Sequence, residues 1–248
     1  SVTSSSSDGW GGRIALEAGP SANWRFGLAG TARKTDVESQ ALNFNVESFG
    51  LDVYGGWRSG DVFVNAAVGV ARDNIDDIER TTSLAPIVHT AETRALSTGA
   101  RLQGGMWFDM GGIALSPRAA LAYVSSDVDG YYEQGVAAQY QYGDRTVKAL
   151  TGEVALRAEA EMGRFGVFAE GGYRDALDDS SDPVRVGIYN NPAQVLSREI
   201  DDPFGGQFLA SAGVQGSVGP VKVTVAYRGR FGDHADSHLG GIQLTLPL

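Results

Sequence analysis

Three histidines and several carboxylate clusters are the residues here whose types could support catalysis or metal binding. His234 and His238 lie four apart, a spacing that puts two metal-binding imidazoles on one face of a helix. The surrounding residues read instead as a loop or a strand start, where that spacing does not bring them together. Ser237 beside His238, and His89 beside Thr90, offer hydroxyl and imidazole neighbours of the kind a hydrolase uses. Neither pair comes with the orienting third group that such chemistry needs, so all three read as loop histidines. Asp76-Asp77 with Glu79, and Asp178-Asp179 with Asp182, could hold calcium or bridge to a phosphorylated surface through divalent cations. Their spacing is not that of an EF-hand, and they read as solvated loop acids. Gly55-Gly56, Gly104-Gly105 and Gly171-Gly172 lack the strand-loop-helix context of a phosphate loop and fit close strand packing or a bend. No catalytic, cofactor-binding or metal-ligating residue is assigned, and no cofactor is expected.

The more informative charges stand in the middle of apolar stretches. They are Arg13, Glu17, Arg25, Asp52, Arg58, Arg101, Arg118, Glu153, Arg157, Glu159, Glu170, Arg174, Lys222, Arg228 and Arg230. Each lies one position out of step with a charge-free row of period two, the side-chain alternation of a strand. Phe49, Leu51, Val53, Gly55 and Trp57 interleave with Gly50, Asp52, Tyr54, Gly56 and Arg58; Leu150, Val154, Leu156 and Ala158 interleave with Thr151, Glu153, Arg157 and Glu159. The same alternation runs from Ile14 to Leu248.

A soluble β-sandwich also alternates, but three details favour strands that cross a membrane. The runs are about 9–11 residues or longer, as tilted spanning strands require, whereas soluble strands average about 5–6. Nearly every strand carries charge in its middle on one face, which suits a polar lumen; on the lipid side an Arg or Lys at the mid-plane would cost about 2–4 kcal/mol. Aromatics cap the apolar rows: Trp24, Trp57, Trp107 or Phe108, Tyr123, Phe165, Tyr173 and Tyr227. Connections alternate too. Short ones fall at residues 20–23, 59–61, 109–112, 163–164 and 219–220, and long ones at about 31–46, 73–93, 125–145, 176–206 and 232–237. Short periplasmic turns and long extracellular loops give this rhythm in bacterial barrels.

The pattern predicts an all-β, antiparallel transmembrane β-barrel forming one domain over residues 1–248. Eleven strands are visible, and the first and last run in the same direction. A closed bacterial barrel needs an even number, and a hidden strand pair would not change the parity. The expectation is therefore twelve strands, the first largely missing from this chain, with Ser1–Ser7 at most its upper end.

Bulk properties agree. A mean hydropathy of -0.15 is too polar for a bundle of spanning helices, and no run approaches the roughly 20 apolar residues such a helix needs. The 34 glycines suit tight turns and closely packed strands better than helices. The absence of cysteine excludes a disulfide scaffold and Cys-ligated metal, and fits a chain that crosses an oxidising periplasm unfolded. A net charge of -10 argues against nucleic-acid binding. No signal peptide opens the chain, which reads as a mature protein or a fragment.

Several segments carry a family likeness: Ser48-Phe49-Gly50-Leu51-Asp52-Val53-Tyr54-Gly55-Gly56-Trp57, the stretch from Arg72 to Arg80, Val128-Asp129-Gly130-Tyr131-Tyr132-Glu133, Tyr142-Gly143-Asp144-Arg145, and the stretch from Tyr227 to Asp233. On these the chain resembles the autotransporter β-domain, the translocator of type V secretion, and is most similar to barrels that follow GDSL-type esterase passengers. The resemblance implies a monomeric twelve-stranded barrel in the Gram-negative outer membrane, among lipid and lipopolysaccharide. It implies insertion by the barrel-assembly machinery, a linker helix in the lumen and an exported N-terminal passenger. The family usually ends in Phe or Trp, whereas this chain ends Leu246-Pro247-Leu248, and it holds no Gly-Asp-Ser-Leu block, so an esterase site would lie outside it. The luminal charges then either accommodate a helix and an extended chain during export or form a salt-bridge network that stabilises a narrow barrel. A passive pore and a barrel hydrolase are the alternative functions.

Overall fold

A computed structural model describes residues 5–39, 42–81, 88–136, 139–189, 191–198, 205–232 and 236–246. Ser1–Ser4, His234, Pro247 and Leu248, which figure in the sequence reading, lie outside the described residues. The strands are β1 (Ser5–Ser21), β2 (Trp24–Ser39), β3 (Leu42–Ser59), β4 (Val62–Thr81), β5 (Val88–Met106), β6 (Phe108–Asp109), β7 (Ile113–Val128), β8 (Tyr131–Tyr132), β9 (Tyr140–Tyr142), β10 (Arg145–Met162), β11 (Phe165–Ser181), β12 (Val184–Ile188), β13 (Asn191–Arg198), β14 (Gln207–Val218), β15 (Val221–Gly232) and β16 (Asp236–Thr245). Eleven of them form one antiparallel meander in the order β1-β2-β3-β4-β5-β7-β10-β11-β14-β15-β16, with the short β6 pairing β7. Ser5, Ser6 and Ser7 continue β1, facing Ser39, Glu38 and Val37; they belong to the descending strand and not to the end of an earlier one. Among the described residues β1 and β16 are the two edges of the sheet.

The turns at one end of the meander are tight, and at all but the Ala22-Asn23 turn a glycine sits where the chain must bend. Met162 faces Phe165 across Gly163-Arg164, and Gly163 has φ 66°. Glycine at the first of two turn residues, in the left-handed region, gives the type II′ turn, whose twist matches that of the flanking strands. Gly60 and Gly219 stand in the same place in their turns.

Exposure is inverted relative to a water-soluble fold. The charge-free row is open: Leu28 is 52 % exposed, Leu51 59 %, Leu156 50 % and Ile242 75 %. The polar row is where the sheet shields itself, with Ser116 at 0 %, Ala29 at 1 % and Ala120 at 6 %. Side chains on a concave surface converge and cover one another, so the charged row is the inner face of a curled wall. An apolar band this extensive on the convex side calls for apolar surroundings. Trp24 and Phe26 stack at 5.7 Å within it, and Phe108 faces outward while Trp107 turns in toward Phe63, 6.5 Å away. Small residues on the inner face make room for large ones. The Phe63 ring lies over Gly105 and the Phe168 ring over Gly213.

The expected long connections are mostly strand. β2 and β3 run to Ser39 and from Leu42, and β4 and β5 run to Thr81 and from Val88, so residues 31–39, 42–46, 73–81 and 88–93 are strand. The stretch from 125 to 145 and that from 176 to 206 contribute β8, β9, β12 and β13, a second sheet in the order β13-β12-β9-β8. This sheet carries on the register of the wall. Val147 faces Ser181 and, five positions along both strands, Tyr142 faces Val186. Asp182 N–H donates to the Thr146 carbonyl (2.9 Å) and Gly143 N–H to the Arg185 carbonyl (3.1 Å) across the interruption. Polar composition hid these strands: above an apolar slab both faces meet water, and the period-two contrast disappears.

Gly213 and Gly171 give a paired test of the wall. A Cβ on Gly213 would sit 2.5 Å from the Phe168 ring and 2.6 Å from the Val225 carbonyl, whereas on Gly171 it meets nothing within 4 Å. Gly213→Ala is expected to lower stability to urea unfolding in detergent by about 1–3 kcal/mol, with Gly171→Ala within about 0.5 kcal/mol of the parent.

Candidate functional site: the charged concave face

All fifteen charged residues singled out above stand on the inner row. The register makes this explicit: Arg25 faces Gly56, Asp52 faces Ala29 and Gly69, Arg101 faces Ala67 and Ala122, Glu153 faces Ala120 and Arg174, and Arg228 faces Ser211. Ten of the set are cations and five carboxylates, a basic surface inside an acidic chain.

Four pairs come together. Arg101 meets Glu153 at 2.9 Å and Arg118 meets Glu170 at 3.0 Å, each bridging an intervening strand; Arg157 meets Glu159 at 2.6 Å on one strand, and Arg25 approaches Glu17 at 3.6 Å in the open. The Arg118–Glu170 contact lacks hydrogen-bond direction, since Glu170 Oε2 and Arg118 Nε have no hydrogen-bond partner. It is a Coulombic contact between side chains only 14 % and 22 % exposed. Aromatic faces hold two of these cations and one more: Arg157 lies 3.9 Å from the Phe168 centroid and Arg118 5.9 Å from Phe63, while Arg13 lies 5.3 Å from Tyr54. Among the described residues no ion pair reaches Arg13, Asp52, Arg58, Arg174, Lys222, Arg228 or Arg230. At the tight-turn end Arg25, Arg58, Arg118, Arg157 and Glu159 line a recess of about 350 Å³ with Trp57 and Trp107.

Sequence reasoning missed a second cluster above the wall. His89 is a residue of β5 and is 1 % exposed, not a loop histidine. It shares the inner row of its strand with Ala91, Thr93 and Arg101. Beside it Arg80 clamps Glu133 with two hydrogen bonds, of 2.6 and 2.7 Å, and lies 4.5 Å from the Tyr140 centroid. Tyr140 N–H donates to Glu133 Oε2 (3.0 Å), and Tyr131 stacks on Tyr142 at 4.5 Å. Burial pushes the Glu133 carboxyl up, but the Arg80 and Tyr140 hydrogen bonds outweigh it and hold the group below the ordinary range. Burial, with Glu133 nearby, pushes the Tyr142 phenol well up. The partners are 53 residues apart, so no local spacing announces them.

The other candidates do not converge. His238 lies in β16, its Nδ1 2.7 Å from the Tyr227 hydroxyl. Asp77 sits at a bulge with φ 52° and accepts from Asn45, and Asp182 accepts from Thr146 N–H. Among the described residues no three His, Asp or Glu side chains form a metal-sized group.

The Autotransporter beta-domain family model matches residues 1–228. The chain belongs to the autotransporter β-domain family. No curated protein sequence matches it. Among solved structures it is similar to the translocator domain of the autotransporter NalP from Neisseria meningitidis, with 14 % identity, TM-score 0.84, 99 % of this chain and 82 % of that one covered. It is also similar to the β domain of the Bordetella autotransporter BrkA, with 16 % identity, TM-score 0.68 and coverage of 96 % and 88 %. For the transport unit of AIDA-I from Escherichia coli the values are 12 %, 0.50, 99 % and 83 %. At these identities the likeness is one of fold. Autotransporter β-domains form translocator barrels in the outer membrane.

Two outcomes follow for this autotransporter β-domain. Arg118→Leu strands the Glu170 carboxylate and is expected to cost about 1–3 kcal/mol in urea unfolding, with Glu170→Leu in the same background recovering part of it. Glu133, whose folded carboxyl titrates below the ordinary 4.5, contributes stability above that pH, and the contribution is lost as pH falls through 4.5 toward the folded value. Limited proteolysis should cut residues 129–142 faster in that window, and Glu133→Gln should be cut readily at neutral pH too.

Proposed function

We propose that this barrel sits in the Gram-negative outer membrane as a monomer and that it exports and anchors an N-terminal passenger, a GDSL-type esterase. The observation that carries the reading is a wall apolar outside and basic inside, in a chain whose family is that of autotransporter translocators. An inner row that includes the fifteen charges named above, ten of them cations, stays hydrated, and those of its arginines without an ion pair among the described residues can exchange transient contacts with a passing chain without a deep binding minimum. The same row receives a linker helix once export ends. The barrel-assembly machinery inserts it, and lipid and lipopolysaccharide surround it. The esterase assignment rests on the similarity of the segments around Ser48–Trp57, Arg72–Arg80 and Tyr227–Asp233 to barrels with such passengers.

The barrel performs transport and no ester hydrolysis of its own. The test expresses the chain behind a secretion signal, an epitope and a flexible linker in a Gram-negative host. Intact cells are expected to show the epitope to antibody and to lose it on external protease treatment. A barrel folded in the membrane fraction with the epitope hidden would overturn the export reading. Turnover of p-nitrophenyl esters is expected from the full precursor and not from the barrel alone.

A further inference from the structure

Charge on the concave row is unevenly spread along its depth. The tight turns mark one rim of the wall, so the number of residues between a side chain and the turn end of its strand measures how deep it stands. Among the described residues of the wall, the row is balanced within four residues of that end: Arg25, Arg58 and Lys222 stand against Glu17, Glu159 and Glu161. From five to nine residues along, the balance is lost. Arg101 and Arg118 pair there with Glu153 and Glu170, and Arg157 reaches down to Glu159. Arg13, Arg33, Arg174, Arg228 and Arg230 share the same belt, with Asp52 as its one further carboxylate. Arg33 belongs to the row because it faces Gly11 and Ser48. No ion pair reaches any of these five arginines among the described residues.

Eight arginines therefore meet three carboxylates in a belt whose other inner positions are mostly small, Ala67, Gly99, Ala120, Ala155, Gly172 and Ser211 among them. Long guanidinium side chains above a floor of small residues are the groups that reach furthest inward. Arg13, Arg33, Arg228 and Arg230 are exposed, and the half-buried Arg174 has Arg230 and Arg101 as its cationic neighbours. Like charges held close by the backbone repel, and a low-dielectric wall around them concentrates the field they make. Anions drawn in from water relieve that repulsion. Arginine stays ionised across the physiological range, so pH does not switch the belt off.

We propose that the lumen passes small inorganic anions in preference to cations, and that this arginine belt is the filter that selects them. The inference rests on the transmembrane barrel of the reading above, with the concave row lining its lumen. Rings of Arg and Lys give anion pores their selectivity. Conduction also requires that an ion leave as easily as it enters, through several weak sites and not one tight one. The belt meets that condition, because its unpaired arginines stand on β1, β2, β11 and β15 and do not converge on one pocket. A chloride ion entering past the balanced turn-end rim finds excess positive charge at mid-depth, where a potassium ion finds a barrier. Glu153, Glu170 and Asp52 temper the belt without cancelling it. This activity needs an open lumen and fixed charge, and no passenger.

The experiment inserts the whole chain into planar bilayers of zwitterionic lipid and reads the zero-current potential across a potassium chloride gradient. The parent is expected to show a chloride-to-potassium permeability ratio above about 3. Arg33→Ser, Arg228→Ser and Arg230→Ser together should bring the ratio close to unity, and Arg228→Glu with Arg230→Glu should carry it below unity. Lys148→Ser, on the convex face opposite Ser125, should leave the parent ratio unchanged. Each variant enters the comparison once heat-modifiable migration on gels shows a folded barrel. A parent that conducts without preference, or prefers potassium, overturns the proposal. So does a triple variant as selective as the parent, and so does a folded chain that conducts nothing. Failure of the translocator reading shows elsewhere, as an epitope hidden in intact cells, and that result leaves the ion preference of the lumen untouched.

Discussion

In hydrocarbon a peptide N–H or C=O has no water to fall back on, and leaving one unpaired costs several kcal/mol. Every other property of this molecule follows from that constraint. It makes each spanning strand borrow its partners from its neighbours, so the wall is an unbroken ladder from β1 to β16. It forces the connections at one end to be as short as geometry permits, with left-handed glycines supplying the bend at most of them. Because the ladder fixes which side chains point which way, it separates an apolar convex row from a charged concave one without any helix or second layer.

The consequence for the inner face is a surface of paired and unpaired cations held at fixed spacing by the backbone. Arg101–Glu153 and Arg118–Glu170 each skip a strand, a reach that inward curvature shortens. Small residues share that curvature with large ones: Gly105 beneath Phe63 and Gly213 beneath Phe168 let rings lie flat against the wall and keep the interior open. Other arginines of the row find aromatic or carbonyl partners instead of carboxylates, Arg13 over the Tyr54 ring and Arg58 on the Gly60 carbonyl.

How much of this the sequence discloses depends on whether lipid or water meets the second face. Between Phe49 and Trp57, or Leu150 and Met162, one parity is charge-free, and strand, face and direction can all be read from it. Beyond Asp73 or Ser125 both faces are polar, the contrast vanishes, and strands such as the upper parts of β4 and β5 look like loops. His89 and the Arg80–Glu133 clamp were invisible for this reason, and because their contacts join positions far apart in the chain. The choice between Trp107 and Phe108 as the outward aromatic was not decidable from alternation, since β5 ends at Met106 and β6 begins at Phe108; the structure turns Trp107 inward.

The upper sheet continues the register of the wall and is not a set of independent flaps. Its shape is therefore dictated by hydrogen bonding that begins in the wall. The rim at that end is assembled from segments far apart in the chain, β4 and β5 with β8, β9, β12 and β13. Linear peptides cut from it would reproduce little of what the intact rim displays, and change in one segment has to stay compatible with its paired neighbours.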